Sequence, residues 1–183
     1  MGGKKKRPGF VQFLNNPDSA QVNTHFSWDV GSNGTQNLLY RVSGSVMYYY
    51  DITAGTGTTW LICGNGTFSA NAHVGHAFLE NTLIVGDGVG STRHTTNGTS
   101  FTNTTLAPVG KFFTDYQQRI YIGGTANTLF WSATGDATNW STSGTSDSSS
   151  IQISGEGIIN SVEKIADRVV ITKTTGNILR WDG

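Results

Sequence analysis

The chain has 183 residues, of which 36% are apolar, 13% charged and 11% aromatic, with 24 glycines and three prolines. Charge this sparse and glycine this frequent exclude a long solvated helix, a coiled coil and a charge-expanded disordered chain, and leave material for one core or at most two. Net charge is zero, but Lys4, Lys5, Lys6 and Arg7 supply four of the twelve positive charges, so the remaining body is acidic and holds no polyanion through its general field.

Residues 1–9 read as a basic arm. As a plain sequence feature such a run is a solvated tail; as a functional one, Lys4, Lys5, Lys6 and Arg7 are the partner-binding residues, docking on an acidic neighbour or on phosphate. Pro8, Gly9, Gln12, Asn15, Asn16 and Pro17 interrupt any apolar signal region, and Met1-Gly2 lacks the later hydroxyl residue of a myristoylation site, since Lys6 stands there. No apolar run approaches the ~18 residues of a membrane span, so membrane insertion is not expected.

Beyond the arm, glycine- and threonine-rich turns separate short apolar runs, and no dozen residues keep a 3.6-residue period, which predicts an all-β chain. In chain order the strands are expected at 10–14, 22–30, 38–42, 46–51, 59–63, 72–80, 83–86, 91–94, 101–106, 111–116, 120–123, 129–132, 150–153, 158–166, 169–172 and 178–182. The segment 158–166 has a partial helical face in Ile158, Ile159, Val162 and Ile165, but its β-branched residues and the preceding Gly155 and Gly157 favour a strand.

Four of these pairs repeat one form: an apolar strand, a glycine-containing turn, and a strand with aromatics or arginine. With Leu39, Leu83, Ile120 and Val169 as equivalents, the steps are 44, 37 and 49 residues, which brackets a four-stranded propeller blade. The fold expected is therefore a β-propeller of four-stranded antiparallel blades: a single domain over 10–183, with blades at 22–63, 72–106, 111–153 and 158–183. The last blade is completed by residues 10–14 or by another chain. Asn33-Gly34, Asn65-Gly66 and Asn97-Gly98 recur every 32 residues, out of phase with this repeat, and are expected to form tight turns in separate inter-strand loops. They also match a glycosylation acceptor pattern, as do Asn103 and Asn139, which carries no weight without an export signal.

Chemistry is thinly represented. Cys63 is alone and reads as a small buried strand residue. His73 and His76 lie three apart, on opposite faces of a strand, which suits core or turn positions better than joint metal binding; His25 and His94 are isolated. Asp87, in Gly86-Asp87-Gly88, lacks the further acids that a calcium loop needs. Glu80, Glu156 and Glu163 are the only glutamates and are paired carboxylates only if a propeller axis brings them together. Arg41, Arg93, Arg119 and Arg168 flank equivalent strands and read as strand-edge solubility. Gly55-Thr56-Gly57 and Gly86-Asp87-Gly88-Val89-Gly90 neither open a helix nor carry a following Gly-Lys-Ser/Thr. Tyr48, Tyr49, Tyr50, Phe130, Trp131 and Trp140 have the chemistry to stack on sugars, although alternation sends about half of such residues into the core. No catalytic residues, metal ligands or cofactors are expected.

Two resemblances follow. The stretch Ser132-Ala133-Thr134-Gly135-Asp136-Ala137-Thr138-Asn139-Trp140 resembles the aspartate-box turn of sialidase propellers, a structural turn, with the glycine displaced ahead of the aspartate. The opening Lys6-Arg7-Pro8-Gly9-Phe10, then Leu106-Ala107-Pro108, Arg119-Ile120-Tyr121-Ile122-Gly123-Gly124, and Trp131-Ser132 with Gly135-Asp136 and Trp140, resemble β-propeller structural proteins of tailed bacteriophages, of the tail tubular, nozzle or tail-adaptor type. That resemblance implies a non-enzymatic virion component, made in the host cytoplasm. It implies a rigid scaffold in a symmetric assembly, with other virion subunits and further copies of itself as partners and genome contact through the arm. Two alternatives are a carbohydrate-binding propeller that contacts a host surface and a jelly-roll capsid protein whose basic arm binds genome.

Overall fold

The computed structural model describes residues 18–30, 36–54, 59–124 and 126–182. The basic arm, the segment 10–14 and the Asn33-Gly34 and Gly55-Thr56-Gly57 turns lie outside them. All regular structure among the described residues is antiparallel β. Sheet 1 holds β1 (Val22–Val30), β2 (Gln36–Ser43), β3 (Val46–Asp51) and β4 (Leu61–Thr67), and sheet 2 holds β5 (Gly75–Leu79), β6 (Thr82–Gly86), β7 (Arg93–Thr95) and β8 (Thr102–Asn103). Sheet 3 holds β9 (Gly110–Tyr116), β10 (Arg119–Gly124), β11 (Thr128–Trp131) and β12 (Ser149–Gln152), and sheet 4 holds β13 (Ile159–Ile165), β14 (Arg168–Lys173) and β15 (Ile178–Trp181). Every sheet is a meander of sequential strands, whereas the two Greek keys of a jelly roll would pair strands distant in sequence.

The fold class expected from the strand pattern is met at the level of four successive antiparallel sheets, three of four strands and one of three. The segment 158–166 is strand, because Ile159, Val162, Val169 and Ile171 all bury against sheet 3. The expected strand 101–106 shrinks to two residues, since Leu106 takes a left-handed backbone at φ 61° ahead of Pro108. Asn65-Gly66 is not a hairpin turn: it lies inside β4, where Asn65 at φ 52° accompanies a register shift against β3. Asn97-Gly98 does turn the chain, between β7 and β8, with Asn97 Oδ1 accepting from the backbone N–H of Thr99 and Ser100. In sheets 2, 3 and 4 the tight turns that join first to second strands contain no glycine and hold Glu80, Gln117, Gln118 and Ala166 at φ between 46° and 56°.

Neighbouring sheets bury their facing sides against one another in three separate cores. Phe26, Trp28, Leu38, Tyr40 and Val42 of sheet 1 meet Val74, Leu83 and Val85 of sheet 2. Ala77 and Ile84 on the opposite side of sheet 2 meet Phe113, Ile120 and Ile122 of sheet 3. Tyr121 and Leu129 on the other side of sheet 3 meet Ile159, Val162, Val169 and Ile171 of sheet 4. Each fully buried aliphatic side chain contributes about 1.5–3 kcal/mol, so these three seams carry most of the stability.

Glycine sets how closely sheets approach. A Cβ on Gly75 would overlap the Lys111 carbonyl, and one on Gly86 would stand 2.6 Å from the Gly110 carbonyl, so sheets 2 and 3 touch backbone to backbone. Gly123 instead makes room between sheets 3 and 4 for side chains, a Cβ there standing 2.6 Å from a Val162 methyl and 2.9 Å from an Ile159 methyl. Sheets 1 and 2 are instead filled by rings, Phe26 stacking on His76 with centroids 4.0 Å apart and Trp28 lying 6.0 Å from Phe78. Gly75→Ala is expected to lower stability by roughly 2–4 kcal/mol by prising two backbones apart. Ala166→Gly, at an exposed left-handed position, is expected to gain up to ~1 kcal/mol. Denaturant unfolding of both variants checks the contrast.

Candidate functional site

The sequence-predicted residues do not converge on one site. Lys4, Lys5, Lys6 and Arg7 lie outside the described residues. His76 lies in the aromatic seam between sheets 1 and 2, against Phe26 and Phe78, and burial pushes its pKa down to about 4, with the His73 charge adding to the effect. His94 Nδ1 pairs with Thr104 Oγ1 at 3.0 Å, and His25 is exposed on sheet 1. Among the described residues no group of three or more His, Cys, Asp or Glu could hold a metal ion. Cys63 is buried in the first core, its thiol pushed up to about 12 by burial, where it is no nucleophile at neutral pH.

The charged side chains that a catalytic reading would draw on are held in structural bonds. Burial pushes the Asp87 carboxyl up, but the backbone N–H of Ser69, Val89 and Gly90, at 2.8–2.9 Å, outweigh it and hold its pKa at about 2. Asp87 thereby ties the chain entering sheet 2 to the loop leaving β6. Glu80 occupies the β5–β6 turn, Glu156 the loop before β13, and Glu163 the strand β13 itself, so they belong to three different elements.

The arginines are not strand-edge solubilisers, as their positions suggested. Arg41 is only 8% exposed, pairs with Asp18 at 3.4 Å and lies 5.5 Å over the Trp60 ring. Arg93 covers Phe68 at 4.9 Å and donates to the carbonyls of Asn65 and Thr67, bracing the Asn65 irregularity of β4. Arg119 bridges the Ser132 carbonyl and Asp147, while Arg168 pairs with Asp167 beside it. The aspartate-box segment is a closed structural turn: Asp136 Oδ1 accepts from Thr138 N at 2.8 Å, Gly135 takes φ 72°, and the Trp140 indole is buried and donates to the Ala137 carbonyl.

Three open depressions stand out among the described residues. One, of about 510 Å³, runs beside sheet 3 and is lined by Leu106, Pro108, Phe130, Trp131 and a hydroxyl-rich rim from Ser141 to Ser143 with Ser149 and Ser150. Phe130 and Trp131 were expected as stacking candidates; Leu106 and the serine rim were not, because nothing in an isolated loop sequence shows which strand it will fold beside. The second lies between Asp87–Val89, Lys111 and Ile158–Asn160, and the third brings His73, Lys111 and Glu163 round the first strands of sheets 2, 3 and 4. None combines a nucleophile, a base and a buried polar pocket.

At each end of the series a sheet has one side that faces no other sheet of the series. Alternation places Leu39, Arg41, Tyr48, Tyr50 and Ile62 on the side of sheet 1 turned away from sheet 2, with Trp60 against Tyr50 and Arg41. It likewise places Ser161, Glu163, Ile165, Val170, Thr172, Ile178 and Arg180 on the side of sheet 4 turned away from sheet 3.

No family model and no curated protein matches the chain. Solved structures do. The computationally designed Ika4 protein superposes at TM-score 0.62 and 11% identity, over 94% of this chain and 98% of that one. BamB from Moraxella catarrhalis superposes at 0.52 and 12% identity, over 82% of this chain and 45% of BamB. BBS1N, in its complex with ARL6DN soaked with lead, does so at 0.50 and 12% identity, over 97% of this chain and 53% of BBS1N.

One imidazole, of His76, and one carboxyl, of Asp87, contribute to the pH dependence of stability. His76 is protonated more readily unfolded than folded, so its contribution is whole above about 6.5 and is lost as pH falls toward about 4. Asp87 contributes above about 3.8 and is lost toward about 2. His76→Phe is expected to flatten the fall in melting temperature between pH 6.5 and 4, and Asp87→Asn to lower stability by about 2 kcal/mol at neutral pH while removing the steep loss below pH 4. Thermal unfolding across pH checks both. BamB and BBS1N are β-propellers, and at these identities the likeness is one of fold: this chain is a series of four antiparallel sheets similar to about half the length of each.

Proposed function

We propose that the chain is a non-enzymatic structural component of a phage virion, from the tail or the head–tail region, whose four sheets are successive blades of a β-propeller acting as a rigid scaffold in a symmetric assembly. The observation that carries this reading is the serial packing: three apolar seams join four sheets, while Asp87, Asp136, Asp147 and Arg119 are engaged in turns and inter-strand braces. The virion context is supported by the resemblance of Arg119–Gly124, Trp131-Ser132 and the Leu106-Ala107-Pro108 turn to phage propeller proteins. The propeller itself is supported by the likeness to BamB and BBS1N. Lys4, Lys5, Lys6 and Arg7 dock the rigid body to an acidic subunit surface or to genome, since a cationic arm ordering on an acidic face adds charge-assisted bonds without reshaping the domain.

Particles from the phage that encodes the chain, purified and probed with antibody raised against it, are expected to carry the label at the tail or neck. Deletion of residues 1–7 is expected to leave folding intact and abolish its incorporation. Absence of the chain from purified particles overturns the reading.

A second reading, a carbohydrate-binding propeller, is favoured by the trough beside sheet 3, where the edges of Phe130 and Trp131 meet serine and threonine hydroxyls. It expects a positive signal on a glycan array that Leu106→Asp removes, Leu106 being 70% exposed on the trough wall. An array with no signal overturns it.

A further inference from the structure

The trough beside sheet 3 differs from the other two depressions in one respect: none of its lining residues carries an ionisable side chain. The second depression is lined in part by Asp87 and Lys111, and the third by His73, His76, Lys111 and Glu163. The trough's volume, about 510 Å³, falls within the ~300–1,000 Å³ of small-ligand sites.

Strand register decides what the trough offers. Phe130 on β11 stands directly opposite Ser150 on β12, so ring and hydroxyl share one side of sheet 3. That side is turned toward sheet 2, since Phe130 packs on the core that joins sheets 2 and 3. Leu106 and Pro108, from the loop between β8 and β9, add apolar lining, and Leu106 is 70% exposed. The polar groups of the rim divide into two sets. Ser141 and Ser143 are bonded to each other at 2.9 Å, and the Trp140 indole N–H is taken up by the Ala137 carbonyl. The hydroxyls of Thr142 and Ser150 take no bond among the described residues, and both residues are exposed.

An apolar ring beside open hydroxyls, with no charge between them, is complementary to a molecule that has a C–H face and neutral hydroxyls of its own. A sugar ring has both. A carboxylate or sulfate on that sugar would enter a partly desolvated place with no cation to meet it. Arg119, the cation bonded to the serine loop, is already paired with Asp147 of that loop. The body adds to the discrimination, since residues 8–183 carry eight positive charges against twelve negative and repel anions at longer range.

We infer that the trough is a site for a neutral glycan, which lays a pyranose face on Phe130 and its hydroxyls on Ser150 and Thr142, and that it discriminates against sialylated, uronic and sulfated sugars. This rests on the carbohydrate-binding reading above and adds to it the class of sugar.

The test sets the full chain against two groups of probes: maltotriose, lactose and chitotriose as neutral sugars, and sialyllactose and a hyaluronan tetrasaccharide as acidic ones. Hits are titrated by calorimetry at low and at high salt. Expected is binding of at least one neutral sugar, unchanged by salt because no ion pair forms, no binding of the acidic group, and an affinity lowered about fivefold by Ser150→Ala. Should Ser150→Ala fail to fold by circular dichroism, Thr142→Ala on the exposed loop is measured in its place, with the same loss expected. Acidic sugars that bind alone or as tightly as neutral ones, an affinity that falls with salt, or neutral binding that survives the alanine variants overturns the inference and leaves carbohydrate binding standing. Silence from both groups overturns the inference and the carbohydrate reading together.

Discussion

A β-meander with apolar residues on both sides cannot be left half covered, and this constraint organises the molecule. In sheets 2 and 3 residues of both parities along the second strand are buried, Leu83, Ile84 and Val85 in one and Ile120, Tyr121 and Ile122 in the other. That is the burial pattern of a strand packed from two sides, which antiparallel sheets with one wet face do not show. Each such sheet needs a neighbour on either side, so the sheets must be stacked in series. Antiparallel meanders with short connections place each neighbour next in sequence, because a longer connection would leave backbone polar groups unpaired.

The spacing within that series is written in side-chain volume. Where sheets approach most closely, at Gly75 and Gly86, an added carbon meets a backbone carbonyl, and at Gly123 it meets the packed methyls of Val162 and Ile159. Where they stand apart, the gap is filled by Phe26, Trp28, Tyr40, His76 and Phe78. Gly98 joins the two regimes: its carbonyl accepts from the Tyr40 hydroxyl at 2.8 Å, and its φ of 76° and its contact with Leu38 leave no room for a side chain. A loop of sheet 2 is thereby pinned to the core of sheet 1, and the parallel bridge from Gly64 to Ser100 reinforces the join.

Strand positions were legible because period-two alternation and glycine-bounded apolar runs are local signals. The limits of β1 and β3 fall where the pattern placed them, and β13 was separated from a helix by its β-branched residues. What local pattern did not carry were the left-handed turn residues Glu80, Gln117, Gln118 and Ala166. None is a favoured turn type, and tertiary packing of the flanking strands imposes the conformation on them. The Asn65-Gly66 pair misled for the same reason: its preference for positive φ was met, but inside a strand, as an irregularity braced by Arg93. The arginines at equivalent positions gave no hint that Arg41 would be buried, since burial depends on which side of sheet 1 other residues cover.

The placement of charge bears on function more than any pocket does. Asp87, Asp136, Asp147 and Arg119 each take hydrogen bonds or ion pairs that close a turn, and His76 is kept neutral in a wall of rings. A catalytic group must change protonation or partners during turnover, and groups bound this tightly to backbone resist both. Apolar seams and fixed charges together hold the four sheets in one arrangement. In such a body the sites of interest are the sides of sheets 1 and 4 that the series itself leaves without a following or preceding sheet. Those two sides differ in character, one carrying Tyr48, Tyr50 and Trp60 around the buried Arg41 and the other exposing Ile165 and Ile178.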